Sequence, residues 1–385
     1  MVPKNPVNSR DLADSDEEVT DPGIVLELPA KGPKTPVLIK MPDLGPLAPL
    51  LRDPAITEIM VNDLRNIMIE KAGKLTNSGI RMHSQEDLNR LARNILEITG
   101  RVLTPEHPYV DATLPDGSRV NLIGPPLSAG GICLTLRRPP VKRFTLESLL
   151  AAGTVDARIS FFLSACVAGK INILISGGTG SGKTVLLNAL MSYIGRDERI
   201  VAIEDTPELV IAHANSVRLQ TKPQMPSSPP IPARELVANA LRMRPDRIIV
   251  GECRRAEAFD MLQAMNTGHA GSMSTLHANS IRGALSRLET LCLLAGTDLP
   301  LLAIRKQITE AIDLVVQIKR FRTGQRKVVG VSQVTGMEGE TLLLQDLFIS
   351  DPVDPAAPFR CTGFVPTFMD RLRDEGVDFP SQFFV

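Results

Sequence analysis

Residues 173–190, ILISGGTGSGKTVLLNAL, constrain the fold of this chain more than any other stretch. They contain the pattern G-x-x-x-x-G-K-[ST] as Gly177, Gly182, Lys183 and Thr184. The flanks are the ones the pattern needs. Ile171, Ile173, Leu174 and Ile175 predict a buried parallel strand; Val185, Leu186, Leu187, Ala189 and Leu190 predict a helix face. A strand, a glycine-rich loop and a helix in that order aim backbone N–H groups at phosphate oxygens. Glycine removes the side chains that would block this approach, and the helix N-terminus adds partial positive charge. The candidate nucleotide-binding residues are therefore Gly177, Gly178, Thr179, Gly180, Ser181, Gly182, Lys183, Thr184 and Val185. Lys183 can reach β- and γ-phosphates, and the Thr184 hydroxyl can ligate Mg²⁺, so ATP and Mg²⁺ are the expected cofactors.

Three further segments narrow the chemistry. IEDTPEL, residues 203–209, closes an apolar run with Glu204 and Asp205. A carboxylate at the C-terminal end of such a strand faces the phosphates. Glu204 could position or deprotonate the attacking water, and Asp205 could support Mg²⁺ or a neighbouring cation. Acidic residues also cap turns, so this segment alone leaves both readings open. RPDRIIVGE, residues 244–252, ends a strand-like run at Glu252, which reads as a metal-side carboxylate acting through water, or as a base. NTGHAGSMSTLHANS, residues 266–280, surrounds His269 and His277 with small and hydroxylated residues. Either imidazole could contact the γ-phosphate and report its loss. Their eight-residue separation is not that of a helical metal pair.

Composition excludes several other classes. Lys plus Arg and Asp plus Glu both total 43, so no net charge draws the chain to nucleic acid or anionic lipid. Aromatic residues make up 4% and Trp is absent, which argues against base-stacking platforms and direct nucleic-acid binding. Cys133, Cys166, Cys253, Cys292 and Cys361 are widely spaced, which predicts neither a zinc site nor a disulfide framework and fits a reduced, cytoplasmic setting. The first residues lack a signal-peptide core, and the apolar run from Ile159 to Gly169 is too short for a transmembrane segment.

Along the chain, residues 1–44 are acidic and Pro-rich and predict a disordered tail. Residues 45–138 predict a small α+β domain. Its strands hold Ile56, Ile59, Val61, Ile67, Met68 and Ile69 around a turn at Asn62 and Asp63. Ser84 starts a helix carrying Leu88, Leu91, Ala92, Ile95 and Leu96, which Gly100 stops. Pro115, Asp116 and Gly117 mark a hairpin. A linker at 139–143 leads to residues 144–385, an alternating α/β domain with strands expected at 171–176, 200–204, 216–219, 247–251 and 313–318. Residues 223–232 predict an extended Pro-rich loop, and the C-terminal extension predicts a strand at 342–348 and a helix near 368–375.

The set GGTGSGKT, IEDTPEL, RPDRIIVGE and TGHAGSMSTLHANS resembles the Walker A, Asp-box, Walker B and His-box motifs of the secretion ATPase superfamily of type II secretion, type IV secretion and type IV pili. DMLQAMNTGH, LSRLETL, VTGMEGE, LQDLF and the ending FRCTGFVPTFMDRLRDEGVDFP are similar to its Tad (tight-adherence, Flp pilus) branch, the CpaF-type ATPases, as are DPAITEIMVND and YVDATLPDGSRVNLI in the N-terminal domain. Ala270 and Arg255 depart from that pattern without removing a motif group. The resemblance implies a RecA-like P-loop ATPase core with a parallel-containing sheet, preceded by the smaller α+β domain. It implies a homohexamer, cytoplasmic and peripheral to the inner membrane, that drives platform proteins of a pilus or secretion system. Lys183 and Thr184 then take the Walker A roles, Glu204 is the first choice for catalytic base and Glu252 for water-mediated Mg²⁺ binding, and these two could exchange. His277 is the better γ-phosphate sensor of the two histidines. Arg119 and Arg137 are candidates for phosphate contact from the N-terminal domain, although an arginine on a hairpin can also be merely solvated. A type IV secretion ATPase moving protein or DNA is the nearest alternative, and a nucleic-acid motor a more distant one.

Overall fold

The computed structural model describes residues 41–71, 73–139, 144–222, 229–296, 298–380 and 382–384. The expected tail through residue 40, residues 140–143 of the expected linker and residues 223–228 of the Pro-rich stretch lie outside the described residues. The chain divides after Pro139 into two compact units.

The N-terminal unit holds a short helix α1 (Ala48–Arg52) and strands β1 (Ile56–Val61), β2 (Ile67–Lys71) and β3 (Lys74–Asn77). Helix α2 (Gln85–Thr99) and strands β4 (Tyr109–Thr113), β5 (Arg119–Ile123) and β6 (Cys133–Arg137) follow. The strands form one antiparallel sheet in the order β3-β2-β1-β6-β5-β4. Its alternation is that of a sheet covered on one side. Ile59, Val61, Val120, Leu122, Leu134 and Leu136 pack with Leu88, Leu91 and Ile95 of α2. The Ser84 hydroxyl caps α2 by accepting from the Asp87 amide, and Gly100 ends it at φ 62°. Met41 and Leu44, within the stretch 1–44 expected to be a tail, are buried in the same core. Their apolar side chains were too few to stand out from the polar tail.

The second unit opens with α3 (Leu146–Ala151) and α4 (Ala157–Ala168) and continues β7 (Ile173–Ser176), α5 (Lys183–Met191), β8 (Ile200–Glu204) and β9 (Ser216–Gln220). Then come α6 (Ala233–Ala240), β10 (Arg247–Cys253), α7 (Glu257–Asn266), β11 (Met273–Leu276), α8 (Ile281–Leu293) and α9 (Leu301–Ala311). Strands β12 (Leu314–Arg320), β13 (Arg326–Glu338), β14 (Thr341–Ile349) and β15 (Arg360–Cys361) precede the last helix, α10 (Met369–Asp374). The described residues give a nine-stranded sheet ordered β15-β14-β13-β12-β7-β11-β10-β8-β9. From β12 to β9 it is parallel; β13, β14 and β15 extend it antiparallel.

A parallel sheet covered on both faces reads as continuous apolar sequence. Ile173 and Ile175 face Leu186, Leu187 and Leu190 of α5 and Phe162 of α4. Leu174 and Val315 face the opposite layer, with Val237, Leu262, Leu288 and Ile308 from α6 to α9. Among the described residues no helix is long and apolar enough to cross a membrane. The architecture is α/β, a RecA-like P-loop core preceded along the chain by a smaller sheet unit.

Candidate active site

Parallel pairing brings the ends of β7, β11, β10 and β8 to one edge. Ser176 of β7 lies level with Leu276 of β11, and Val250 of β10 level with Ile203 of β8. Whatever follows these strands meets there. After β7 comes the glycine-rich loop. A Cβ on Gly177 would collide with the Ile318 carbonyl, and Gly182 begins α5 at φ 99°, a left-handed conformation that favours glycine. The first-turn amides of α5 have no acceptor within the helix and face the loop.

Lys183 is buried, and its ammonium donates to the Gly178 carbonyl at 3.2 Å. It also lies 3.3 and 3.4 Å from the two ring nitrogens of His277, which follows β11. The His277 Nε2 is 2.8 Å from Glu252 Oε1, and Arg254 donates to Glu252 Oε2 at 2.7 Å. Arg254 in turn lies 4.0 Å from Asp205. A chain of polar groups thus runs from the loop lysine across β11 and β10 to the end of β8. Burial and the Lys183 ammonium hold the His277 imidazole below its usual range, against the pull of Glu252.

Glu204 is buried at the end of β8. Its Oε1 accepts from the amides of Glu208 and Leu209, each at 2.7 Å, while Oε2 has a longer contact, 3.4 Å, to Arg218. Burial raises its pKa above the ordinary Glu value although those two amides favour the ionised form. The amide bonds curl residues 205–209 back toward α5, where the Thr184 hydroxyl donates to Glu208 Oε2 at 3.3 Å. Asp205 Oδ1 accepts from Thr221 at 3.1 Å.

His269 does not join this group. It precedes β11, at the opposite end of the strand from His277, and its Nδ1 lies 3.1 Å from the Ala264 carbonyl. Within this chain His269 is thus not brought to the phosphate loop as its sequence suggests: the two histidines share loop-like sequence but sit at opposite ends of one strand. Arg119 and Arg137 belong to the N-terminal unit, where they are register partners on β5 and β6. Both stand on the face opposite buried Val120 and Leu136, and Arg137 lies 3.5 Å from Glu58.

The sequence reading missed three loop neighbours. Glu208 stands inside a segment read for its first two acids only. Arg326 donates to the Gly180 carbonyl at 3.0 Å, and a Cβ on Gly180 would come within 3.1 Å of the Arg320 guanidinium. Arg320 reaches the loop because β12 pairs with β7, and Arg326 because it stands opposite Arg320 on β13, neighbour relations that no local pattern announces.

The residues fit a nucleotide. A buried ammonium resting on a carbonyl and a neutral imidazole takes stronger, charge-assisted bonds from phosphate oxygens. Among the described residues no three His, Cys, Asp or Glu side chains converge as a metal cage.

Comparison with known proteins agrees with this geometry. The family model for type II/IV secretion system proteins matches residues 40–338. A Mycobacterium tuberculosis (strain CDC 1551 / Oshkosh) protein provisionally named for conjugal transfer is 35% identical over 304 residues, 77% of this chain and 85% of that one. The type IV secretion system protein VirB11 of Bartonella quintana (strain Toulouse) is 32% identical over 334 residues, 77% of this chain and 93% of that one. The crystal structure of the pilus retraction motor PilT with bound ADP superposes with a TM-score of 0.55 at 19% identity, covering 76% of this chain and 83% of that one, a likeness of fold. The chain thus belongs to the type II/IV secretion system protein family: it is a secretion ATPase, an enzyme that hydrolyses ATP.

Proposed function

We propose that this ATPase powers a Tad/Flp-type pilus assembly machine, working with Mg²⁺ as a homohexamer on the cytoplasmic side of the inner membrane and pushing on platform proteins there. The observation that carries the reading is the C-terminal extension. The family match stops at residue 338, yet Phe348, Phe368, Leu372 and Phe384 lie beyond it in the core that holds the loop-bearing strand. That extension carries the LQDLF and FRCTGFVPTFMDRLRDEGVDFP segments similar to the Tad branch.

Within the cycle, Lys183 neutralises charge on the transferring phosphoryl group and Thr184 serves the metal. Glu204, its pKa raised by burial, is the base for the attacking water. Glu252 supports the metal through water, and His277 registers the γ-phosphate beside Lys183. Arg119 and Arg137 keep the role of phosphate contacts. On that role Arg119→Ala leaves nucleotide binding measurable and cuts turnover by about a thousandfold, less if Arg137 shares the load. Unimpaired turnover, with activity per subunit independent of concentration, would remove both the arginine role and the ring.

A second reading, a type IV secretion ATPase, is favoured by the names of the relatives above. One experiment separates them: delete the gene, score surface pili and conjugal or effector transfer, and complement with wild-type and Lys183→Ala chains. Loss of pili alone, restored only by the wild type, supports the Tad reading. Loss of transfer with pili intact overturns it. Strong stimulation of ATPase activity by single-stranded DNA would instead favour a nucleic-acid motor.

A further inference from the structure

We infer that Gln317 is a positioning residue for His277, an inference that rests on His277 acting at the nucleotide. Gln317 interrupts the buried apolar run of β12, between Val316 and Ile318. Register places it beside Ser176, the last residue of β7, on the sheet face that Val315 and Leu174 fill with apolar contacts. An aliphatic side chain suits that position better, since a buried amide is costly unless it is bonded. Gln317 is 5% exposed, and its Nε2 donates to the Ala278 carbonyl at 3.2 Å. Its Oε1 and the Ser176 hydroxyl are both buried with no hydrogen-bond partner among the described residues. The amide therefore satisfies one acceptor at the expense of its own oxygen.

That acceptor is where it matters. Strand β11 ends at Leu276 and α8 is capped at Ser280, so residues 277–279 have neither ladder nor helix to fix them. The Gln317 bond ties down the carbonyl of Ala278, the residue that follows His277. Without it the His277 ring loses one constraint on its placement between Lys183 Nζ and Glu252 Oε1. Gln317 touches neither partner and acts only through the backbone it holds.

A double-mutant cycle tests this on the full chain, reading kcat and KM for MgATP. Gln317→Leu removes the donor and keeps the bulk. It lowers kcat about tenfold, the scale on which supporting bonds to functional histidines act, with KM little changed and the melting temperature undiminished. In a His277→Ala background it lowers kcat no further. Gln317→Glu, which keeps the shape and replaces the donor, gives the same loss if the Leu variant folds poorly. A normal kcat in the Gln317 variants while His277→Ala is slow overturns the positioning role, as does an undiminished loss in the His277→Ala background. A normal kcat in His277→Ala instead overturns the His277 reading beneath it.

Discussion

At the edge where β10 and β11 begin, Arg247 is fully buried and almost every donor is spent. It makes a two-pronged pair with Glu198 at 2.7 and 2.8 Å and donates to the carbonyls of Val167 at 2.6 Å and Gly271 at 3.4 Å. Beside it, buried Asn172 donates to the Ala311 carbonyl and accepts from the Gly271 and Ser272 amides. A Cβ on Gly271 would strike the guanidinium, so the backbone is shaped around the ion pair. At the edge where the same strands end, Lys183, His277, Glu252 and Arg254 make a more exposed chain: Glu252 is bound tightly, at 2.8 Å by His277 and 2.7 Å by half-exposed Arg254, while Lys183 is held by contacts of 3.2 to 3.4 Å. Both edges carry cations, carboxylates and a histidine. The difference lies in burial and in the length of the contacts to the cation. A closed network around a fully buried cation pins strands together; a lysine held by contacts of 3.2 to 3.4 Å at a partly exposed edge can trade partners when a phosphate arrives.

If that distinction holds, the largest effect on stability comes from the edge with no role in turnover. Arg247→Met strips Glu198 and two buried carbonyls of their partner and costs about 3–5 kcal/mol of folding stability, measured by denaturant unfolding. Turnover per folded molecule stays normal. A loss below about 1 kcal/mol, or a slow but fully stable variant, would break the comparison at its structural end.

Lys183→Ala tests the other edge. It lowers ATPase turnover by about a hundredfold to a thousandfold and leaves the unfolding midpoint near that of the wild type, because the lysine's contacts are not what hold α5 in place. Leu186, Leu187 and Leu190 do that. Normal turnover in the folded variant would defeat the P-loop assignment.

Much of this contrast is legible in the amino-acid sequence alone. Strands β7, β8, β10 and β12 are legible as apolar runs, with Glu204 and Glu252 where two of them end and the glycine-rich loop after a third, because a strand buried on both faces leaves little room for polar residues until it stops; the edge strand β9, SVRLQ, shows only alternation. Strand β11 escaped notice: it has four residues, and Ser274 and Thr275 at its centre made it look like part of a polar loop. Missing it is what made His269 and His277 resemble one site. The long β13 was hidden by Gly330, Ser332 and Gln333, polar residues buried by pairing with β12 and β14. Arg247 was inside a segment read for its glutamate, and nothing local to RPDR says that its charge is buried against a residue 49 positions away.

Glu204→Gln sharpens the chemistry at the more exposed edge. It keeps the amide-accepting shape, still binds ATP and slows turnover by about a hundredfold, the lower end of what a general base supplies. The pH dependence has a definite sign. Burial raises the Glu204 pKa, so turnover falls as pH drops through a value above the ordinary Glu range, and the acid limb disappears in the variant. Glu252→Gln also slows hydrolysis. A wild-type rate in Glu204→Gln would pass the base role to Glu252.

The smallest effect belongs to His269. Its Nδ1 bond to the Ala264 carbonyl closes the turn after α7, and its own carbonyl accepts from the Ser272 hydroxyl at 2.7 Å. His269→Ala removes the first contact and leaves the second, which is main-chain. A single hydrogen bond of this kind is worth about 0.5–1.5 kcal/mol, so the unfolding midpoint drops slightly while kcat and KM for MgATP hold. The parallel register makes the reason geometric: the four residues of β11 separate His269 from the phosphate loop, and no side-chain rotation spans a strand of that length. A variant that unfolds normally yet turns over slowly would place a functional group at the buried edge, and the division between pinning and exchanging networks would then fail where it is easiest to check.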